Sequence, residues 1–179
     1  VGTARTALED LINGIKQPGF KKDFTPWVNY VNKLKQDYPL NYNRNSDLIQ
    51  PQFVIESLNE VTHGDAIVTT GVGQHQMWAA QYGRYNNPRN WITSGSMGTM
   101  GFGLPAAIGA QFANPDRLII DIDGDGSIRM NLGELETVTT YDLPVKVLLF
   151  NNLGDGMVRQ WQHTYFGNRF SGTDKSLHK

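Results

Sequence analysis

The fold is constrained most by two apolar runs that each end in a cluster of Gly, Asp or Asn. The first, Arg117–Asp123, has Leu-Ile-Ile at its centre, and the second is Val145–Phe150. Between them, Leu132–Tyr141 has a pattern typical of a helix. Strand, helix and strand predict two parallel neighbours in one sheet, because a helical crossover returns the chain to the same edge. A ligand of such a sheet binds beyond the carboxyl ends of its strands.

The same alternation extends over the whole region from residue 49 onwards. It predicts an α/β fold, a doubly wound parallel sheet with helices on both faces, over residues 49–179. The other predicted helices are Pro51–Val61, Gln74–Tyr82, Phe102–Phe112 and Gly156–Tyr165, and the other predicted strands are Ala66–Thr70 and Trp91–Thr93.

Residues 1–48 have a different composition, rich in Lys, Asn, Gln, Tyr and Pro. Helical spacing of apolar residues predicts a helix over Thr3–Lys16 and another over Phe24–Tyr38, with Thr25 as its N-cap and Pro26 in its first position. We expect a linker with two helices that leads from a preceding domain and packs on something outside the main one. The absence of an initial Met favours a piece of a longer protein.

Composition excludes several function classes. A formal net charge of −1 argues against a nucleic-acid binder, and no apolar run approaches the roughly 20 residues that cross a membrane. With no cysteine, disulfides, thiolate catalysis and Cys-bound zinc are excluded. The start of the chain lacks the pattern of a signal peptide, so the expected compartment is the cytoplasm.

The segment Gly124-Asp125-Gly126 directly follows the first strong strand. Alone it could equally be a plain Asp-Gly turn. However, a further 24 residues, a helix and a strand, lead to Asn151-Asn152. Asp125 and Asn152 are therefore expected side by side at adjacent strand ends, where a carboxylate, an amide oxygen and the carbonyl of Gly154 would suit Mg²⁺ together with phosphate oxygens.

Gly-Asp-Gly, a spacer in the mid-twenties and Asn-Asn together resemble the pattern of thiamine-diphosphate enzymes. Three further blocks occur in the order found in acetolactate (acetohydroxyacid) synthase catalytic subunits, and the resemblance covers about residues 50–170. It implies the C-terminal thiamine-diphosphate-binding domain of that family. The three blocks are Thr70–Gln81, Met97–Gly109 and Gly156–Trp161.

The resemblance implies a set of cofactor-binding residues. Gln74 and His75 would contact the diphosphate, Met100 would hold the cofactor's bent shape, and Gly98 would lie against its pyrimidine ring. Ser127 would hydrogen-bond a phosphate oxygen. The full implied set is Gln74, His75, Gly98, Met100, Asp125, Gly126, Ser127, Asn152, Gly154, Gly156 and Met157, of which Asp125, Asn152 and Gly154 would bind the metal.

Each of these residue types also has a purely structural interpretation. His75 could be a core or capping histidine, Met100 a core methionine and Ser127 a helix cap. The resemblance further implies a substrate channel lined by Met157, Val158 and Trp161, residues that could equally form the apolar side of an amphipathic helix. Arg159 and Gln160 are expected to be solvated.

Some features depart from the family's pattern. Leu153-Gly154-Asp155 replaces a form such as Gln-His-Leu, and Ser94–Gly98 replaces a common Gly-Gly-Leu-Gly form. The family's N-terminal domain, which supplies the glutamate that activates the cofactor, and its FAD-holding middle domain have no counterpart here, so we assign no catalytic residue. The chain also stops before the family's usual end.

The implied activity is that of a transferase in branched-chain amino-acid biosynthesis, which condenses pyruvate with a second 2-keto acid and releases CO₂. The implied cofactors are thiamine diphosphate, Mg²⁺ and, bound mainly outside this chain, FAD. The full-length family would form a homodimer or tetramer with a regulatory small subunit. By itself the chain is expected to bind cofactor without turnover.

Three alternatives stay open. The first is another thiamine-diphosphate enzyme: glyoxylate carboligase, pyruvate oxidase or sulfoacetaldehyde acetyltransferase. The second is a simple binding module. The third is a Mg²⁺-dependent phosphotransferase using Asp121, Asp123 and Asp125, which would share one face only if the strand continued through Gly124.

Overall fold

The computed structural model describes residues 2–175. It divides into two compact units, Val1–Asn41 and Tyr42–Lys179. The first unit contains helices α1 (Ala4–Ile15) and α2 (Thr25–Asp37), which confirms the two helices predicted there. Neither helix has a buried residue, so their packing on something outside the main domain stays a prediction.

The predicted N-cap of α2 is wrong by one residue. Thr25 is the first helical residue and Phe24 occupies the cap position. The carboxylate of Asp23 accepts a hydrogen bond from the backbone N–H of Thr25 at 2.9 Å. Asp23 therefore satisfies an N–H at the start of the helix, a task that the sequence pattern assigned to the Thr25 hydroxyl.

The second unit is built on a four-stranded parallel sheet with the order β2-β1-β3-β4. This confirms the predicted α/β class. In chain order its elements are α3 (Pro51–Thr62), β1 (Ile67–Thr70), α4 (Gln74–Tyr82), β2 (Trp91–Thr93), α5 (Gly103–Ala113), β3 (Ile119–Gly124), α6 (Asp125–Ile128), a 3-10 helix (Arg129–Glu134), α7 (Leu135–Thr140), β4 (Lys146–Phe150) and α8 (Gly156–Tyr165).

Helices cover both faces of the sheet. On one face Ile55 of α3 and Ala79 of α4 pack with Val68, Ile120 and Ile122 of the central strands. On the other face the small residues Ala107 and Ala110 of α5 pack with Ile67 and Ile119. Successive strand residues face opposite ways, so the two central strands supply both cores and are buried throughout.

The crossover from β3 to β4 returns the chain to the adjacent position, as predicted. The helix predicted over Leu132–Tyr141 is confirmed in part, since residues 132–134 end a 3-10 helix and α7 follows over Leu135–Thr140. Asn131 leaves helical geometry at φ −136°, and its side-chain amide donates to the carbonyl of Gly101 at 2.8 Å. The long-range hydrogen bond therefore accompanies a kink within the 3-10 segment, one residue before the predicted helix begins.

No helix among residues 2–175 is long and apolar enough to span a bilayer.

Ile55 anchors α3 on the sheet, and only 1% of it is exposed. We expect Ile55→Ala to lower the free energy of unfolding by about 2–5 kcal/mol, since it removes buried methyl groups and leaves a cavity. Chemical denaturation monitored by circular dichroism measures this change. Val61→Ala is the control on the same helix, because Val61 is 80% exposed. Its effect should be within about 0.5 kcal/mol, and equal losses for both variants would contradict the proposed packing.

Candidate functional site

A cavity of about 650 Å³ lies at the carboxyl ends of β1, β3 and β4. Its walls come from the residues that follow each strand, together with Gly98, Met100 and the first turn of α8. The structure brings into this one cavity every residue that the sequence predicted to bind cofactor: Gln74, His75, Gly98, Met100, Asp125, Gly126, Ser127, Asn152, Gly154, Gly156 and Met157.

The carboxyl edge of β3 and β4 positions the candidate metal ligands. Gly124 pairs with Phe150 in the parallel ladder, so Asp125 and Asn151 are the next residues on neighbouring strands. Asp125 begins α6, is 5% exposed, and its Oδ2 atom has no hydrogen-bond partner. A buried carboxylate oxygen without a partner is costly unless a ligand satisfies it.

Asn152 and Gly154, in the loop after β4, line the same cavity. Asn152 Oδ1 accepts a hydrogen bond from the backbone N–H of Gly154 at 3.1 Å, which holds the loop in a tight turn. Among residues 2–175 no group of three or more His, Cys, Asp or Glu side chains is placed to hold a metal ion. A cation here would therefore need the amide, carbonyl and phosphate oxygens that Mg²⁺ accepts beside a single carboxylate.

Two glycines allow the walls of the cavity to approach closely. A Cβ at Gly156 would overlap Oε1 of Gln74 and lie 2.6 Å from Nδ2 of Asn152. A Cβ at Gly126 would lie 2.6 Å from Oδ1 of Asp155. Side-chain polar groups therefore meet over bare backbone at both glycines. The N–H of Gly156 donates to the carbonyl of Gly154 at 3.0 Å.

The imidazole of His75 is 5% exposed and packs beneath the cavity. A Cβ at either Gly73 or Gly124 would lie 2.7 Å from its Cε1 atom, and its Nε2 is 3.5 Å from Oδ1 of Asp123. Burial lowers the pKa of His75 to about 4, against a smaller opposing effect of a hydrogen bond to the backbone of Gly71. His75 is thus neutral at pH 7, and both the core and the cavity-lining interpretations apply to it.

Ser127 lies in α6 rather than at a cap, and its hydroxyl is engaged inside the protein. Its Oγ accepts hydrogen bonds from the backbone N–H groups of Val72 at 3.1 Å and Gly101 at 3.0 Å. The hydroxyl thereby ties together three segments that line the cavity. The hydroxyl also hydrogen-bonds the carboxylate of Asp123, so a phosphate contact from Ser127 would have to come from its backbone N–H.

Residues 71–179 match the family described as "Thiamine pyrophosphate enzyme, C-terminal TPP binding domain". The chain belongs to this family. The matched residues include all of the cavity-lining predictions, from Gln74 to Met157.

The resemblance to acetolactate synthases is also confirmed. The chain is 52% identical over 162 residues to acetolactate synthase 2, chloroplastic, of Nicotiana tabacum, with 86% of this chain and 24% of the relative covered. It is 55% identical over 146 residues to the chloroplastic enzyme of Arabidopsis thaliana, covering 82% and 22% respectively. For acetolactate synthase 1 of Zea mays the identity is 50%, covering 82% and 24%. The chain spans about a quarter of the length of these relatives.

Two further carboxylates of the TPP-binding domain are buried under the cavity without lining it. Burial raises the pKa of Asp121 to about 7, the charge of Asp123 adds to this effect, and a hydrogen bond from Thr69 opposes it. The pKa of Asp123 is also raised by burial, against hydrogen bonds from Ser127 and the backbone of Gly124. Of the three aspartates in the phosphotransferase alternative, Asp125 alone lines the cavity, which weighs against that alternative.

The predicted substrate-channel residues connect the cavity with a second apolar groove of about 500 Å³. Met157 and Val158 line both the cavity and the groove, whereas Trp161 lines only the groove. Trp161 is 57% exposed and meets Tyr165 edge to face. Sequence reasoning missed Phe166 and Arg169, which line the groove beyond the end of α8.

Gln160 is exposed, as expected, but it has a role in the TPP-binding domain that the sequence did not indicate. Its Oε1 accepts a hydrogen bond from Nε2 of Gln74 at 2.8 Å. Arg159, also exposed, lies over the ring of Phe170 at 4.4 Å. Gln160 follows the cavity-lining Gly156 by four residues, which places both on the same side of α8. This spacing was the signal in the sequence that could have indicated the contact.

The raised pKa of Asp121 has a consequence for stability. Between about pH 4 and pH 7 the folded chain binds a proton at Asp121 that the unfolded chain releases, so this group's contribution to stability falls as pH rises. The slope is at most about 1.4 kcal/mol per pH unit. We expect Asp121→Asn, which keeps an acceptor for Thr69, to remove this loss.

Denaturation of the unaltered chain and of Asp121→Asn from pH 5 to 8 measures the difference between their free energies of unfolding. The titration of His75 affects both proteins equally and cancels in this difference. Asp116→Asn is the control, since Asp116 is exposed. Parallel pH profiles for Asp121→Asn and the unaltered chain would contradict the raised pKa.

Proposed function

We propose that this chain is the cofactor-binding part of an acetolactate synthase. In this proposal Mg²⁺ is bound by the carboxylate of Asp125, the amide oxygen of Asn152 and the carbonyl of Gly154, and it holds the diphosphate of thiamine diphosphate. The observation that carries the proposal is the buried Oδ2 of Asp125, which lacks a partner and belongs to a residue that lines the same cavity as Asn152 and Gly154.

The remaining cavity residues have roles that suit an elongated anionic cofactor. Bare backbone at Gly126 and the amide of Gln74 would donate hydrogen bonds to phosphate oxygens. Met100 and Gly98 line the same cavity and would contact the rings of the cofactor. Bound thiamine diphosphate would supply the electron sink that loss of CO₂ from a 2-keto acid requires. The protein's contribution is to anchor it, orient it and exclude water.

For the whole protein we propose the condensation of pyruvate with a second 2-keto acid in branched-chain amino-acid biosynthesis. Support comes from relatives that bear the name acetolactate synthase at 50–55% identity and from the block Gly156–Trp161. The activating glutamate, FAD and a dimer or tetramer with a regulatory subunit belong to this proposal for the full-length protein. The cytoplasmic compartment stays a prediction, and the named relatives are chloroplastic.

The substrate channel belongs to the same proposal. Met157, Val158 and Trp161 give the groove an apolar wall where it meets the cavity. An apolar wall of this kind would accept the short aliphatic chain of a 2-keto acid while its polar end approaches the cofactor.

The metal site predicts Mg²⁺-dependent cofactor binding. We expect thiamine diphosphate to bind the chain in calorimetric titration with Mg²⁺ present and at least tenfold more weakly without it. Asp125→Ala should remove this dependence, because it deletes the single carboxylate of the site. Asp116→Ala changes charge equally at an exposed position and should bind like the unaltered chain. Unchanged Mg²⁺-dependent binding by Asp125→Ala would show that the metal site is wrong.

The proposed activity predicts different results for the 179-residue chain and for the full-length protein. The 179-residue chain, mixed with pyruvate, thiamine diphosphate and Mg²⁺, should form no acetolactate, because it lacks the expected activating glutamate. The full-length protein should form acetolactate, measured as the product released from pyruvate. A full-length protein that consumes pyruvate without forming acetolactate would favour one of the other thiamine-diphosphate enzymes instead.

A further inference from the structure

The candidate cavity has an imbalance of charge. Its lining contains two carboxylates, Asp125 and Asp155, and no Lys or Arg among the described residues that form it. His75 contributes no charge at pH 7, since burial lowers its pKa to about 4. A diphosphate carries about three negative charges, and one Mg²⁺ neutralises two, so a cation next to the cavity would gain considerable interaction energy.

Lys175 places its ammonium at this position. Its Nζ forms an ion pair with Oδ1 of Asp155, and 18% of the Lys175 side chain is exposed. A Cβ at Gly126 would overlap the same Nζ atom. The ammonium therefore lies over the bare backbone of Gly126, between two residues that line the cavity. The methyl group of Met100 reaches the same point, 3.4 Å from the position of that Cβ.

Backbone hydrogen bonds fix Lys175 to the loop that carries the candidate metal ligands. Its N–H donates to the carbonyl of Leu153 at 2.8 Å, and the N–H of Asp155 donates to the carbonyl of Thr173 at 3.0 Å. Gly154 and Asp174 form an antiparallel bridge between these bonds. Lys175 is thus held on the loop by a short two-stranded ladder, which reduces the entropy lost when its side chain binds a ligand.

Side-chain hydrogen bonds also hold the segment that precedes Lys175. Thr173 is 4% exposed, and its hydroxyl donates to Oε1 of Gln162 on α8 at 3.1 Å. The amide of Gln162 in turn donates to the carbonyl of Ser171 at 2.9 Å. The segment before Lys175 is therefore attached to α8 as well as to the loop that contains Gly154.

We propose that Lys175 is a phosphate-binding residue of the cofactor site. This inference rests on the proposed function, because it assigns a further ligand to the same diphosphate. An ammonium has three N–H donors in a compact group, so Lys175 can keep one hydrogen bond to Asp155 and direct the others at a phosphate oxygen. The carboxylate of Asp155 pairs with the ammonium when no anion is bound and competes with phosphate for it.

The test is calorimetric titration of the chain with thiamine diphosphate, and separately with inorganic pyrophosphate, each in the presence of Mg²⁺. Lys175→Gln should weaken both by about tenfold or more, the usual effect of losing a charge-assisted hydrogen bond. Lys175→Arg keeps the charge and should bind within about threefold of the unaltered chain. The affinity of the unaltered chain should also fall more steeply with added salt than that of Lys175→Gln.

Two further variants separate phosphate binding from a purely structural role. Lys146→Gln removes an exposed lysine at the start of β4, the opposite end of the sheet, and controls for net charge. Asp155→Asn breaks the ion pair but keeps the ammonium, so affinity should rise if Lys175 contacts phosphate. Circular dichroism and denaturation check that each variant is folded.

The outcomes distinguish this inference from the proposed function. If Lys175→Gln and Lys146→Gln bind thiamine diphosphate equally well while Asp125→Ala has lost Mg²⁺-dependent binding, the role of Lys175 is overturned. The proposed metal site is then unaffected. Equal weakening by Lys175→Gln and Asp155→Asn would also overturn the role of Lys175, because the ion pair would then act only by holding the loop. No Mg²⁺-dependent binding by the unaltered chain would overturn both proposals.

Discussion

The parallel pairing of β3 with β4 is the constraint on which the rest of the site depends. The register Gly124 to Phe150 brings the residues after both strands to one edge of the sheet. A slip of one residue would turn Asp121 and Asp123 towards the opposite face and displace Asp125 relative to Asn152. β3 is buried along its whole length and supplies both cores, so a slip of β3 would exchange apolar and polar groups on both faces of the sheet.

The site is maintained at a cost in stability. Asp121, Asp123 and Asp125 are buried in succession on β3 and at the start of α6, and each has a carboxylate oxygen without a hydrogen-bond partner. The pKa values of Asp121 and Asp123 are raised by burial, which reflects the penalty for charge there. Hydrogen bonds involving Thr69 and Ser127 offset part of this penalty. A cation at Asp125 would offset more, so cofactor binding and folding are expected to be coupled.

Local patterns predicted the elements well and named residues that line one cavity, but they did not indicate contacts between distant residues. Gln74–Tyr82, Trp91–Thr93 and Gly156–Tyr165 have the predicted bounds. The helix predicted over Leu132–Tyr141 begins in 3-10 geometry, and the kink just before it is at Asn131, which bonds to Gly101, thirty residues earlier. Ser127 has the structural role of joining Val72 and Gly101, which no short-range pattern could indicate.

The sequence alone determined the α/β class, the order of elements and the convergence of Asp125, Asn152 and Gly154, because period, turn residues and spacing are local properties. Tertiary structure alone decided which side chains support that site. Gln74 meets Gln160 across 86 positions, and Lys175 meets Asp155 across 20. Such contacts, and the pKa shifts caused by burial, depend on how separate elements pack, so they arise only when the whole sheet and its helices have assembled.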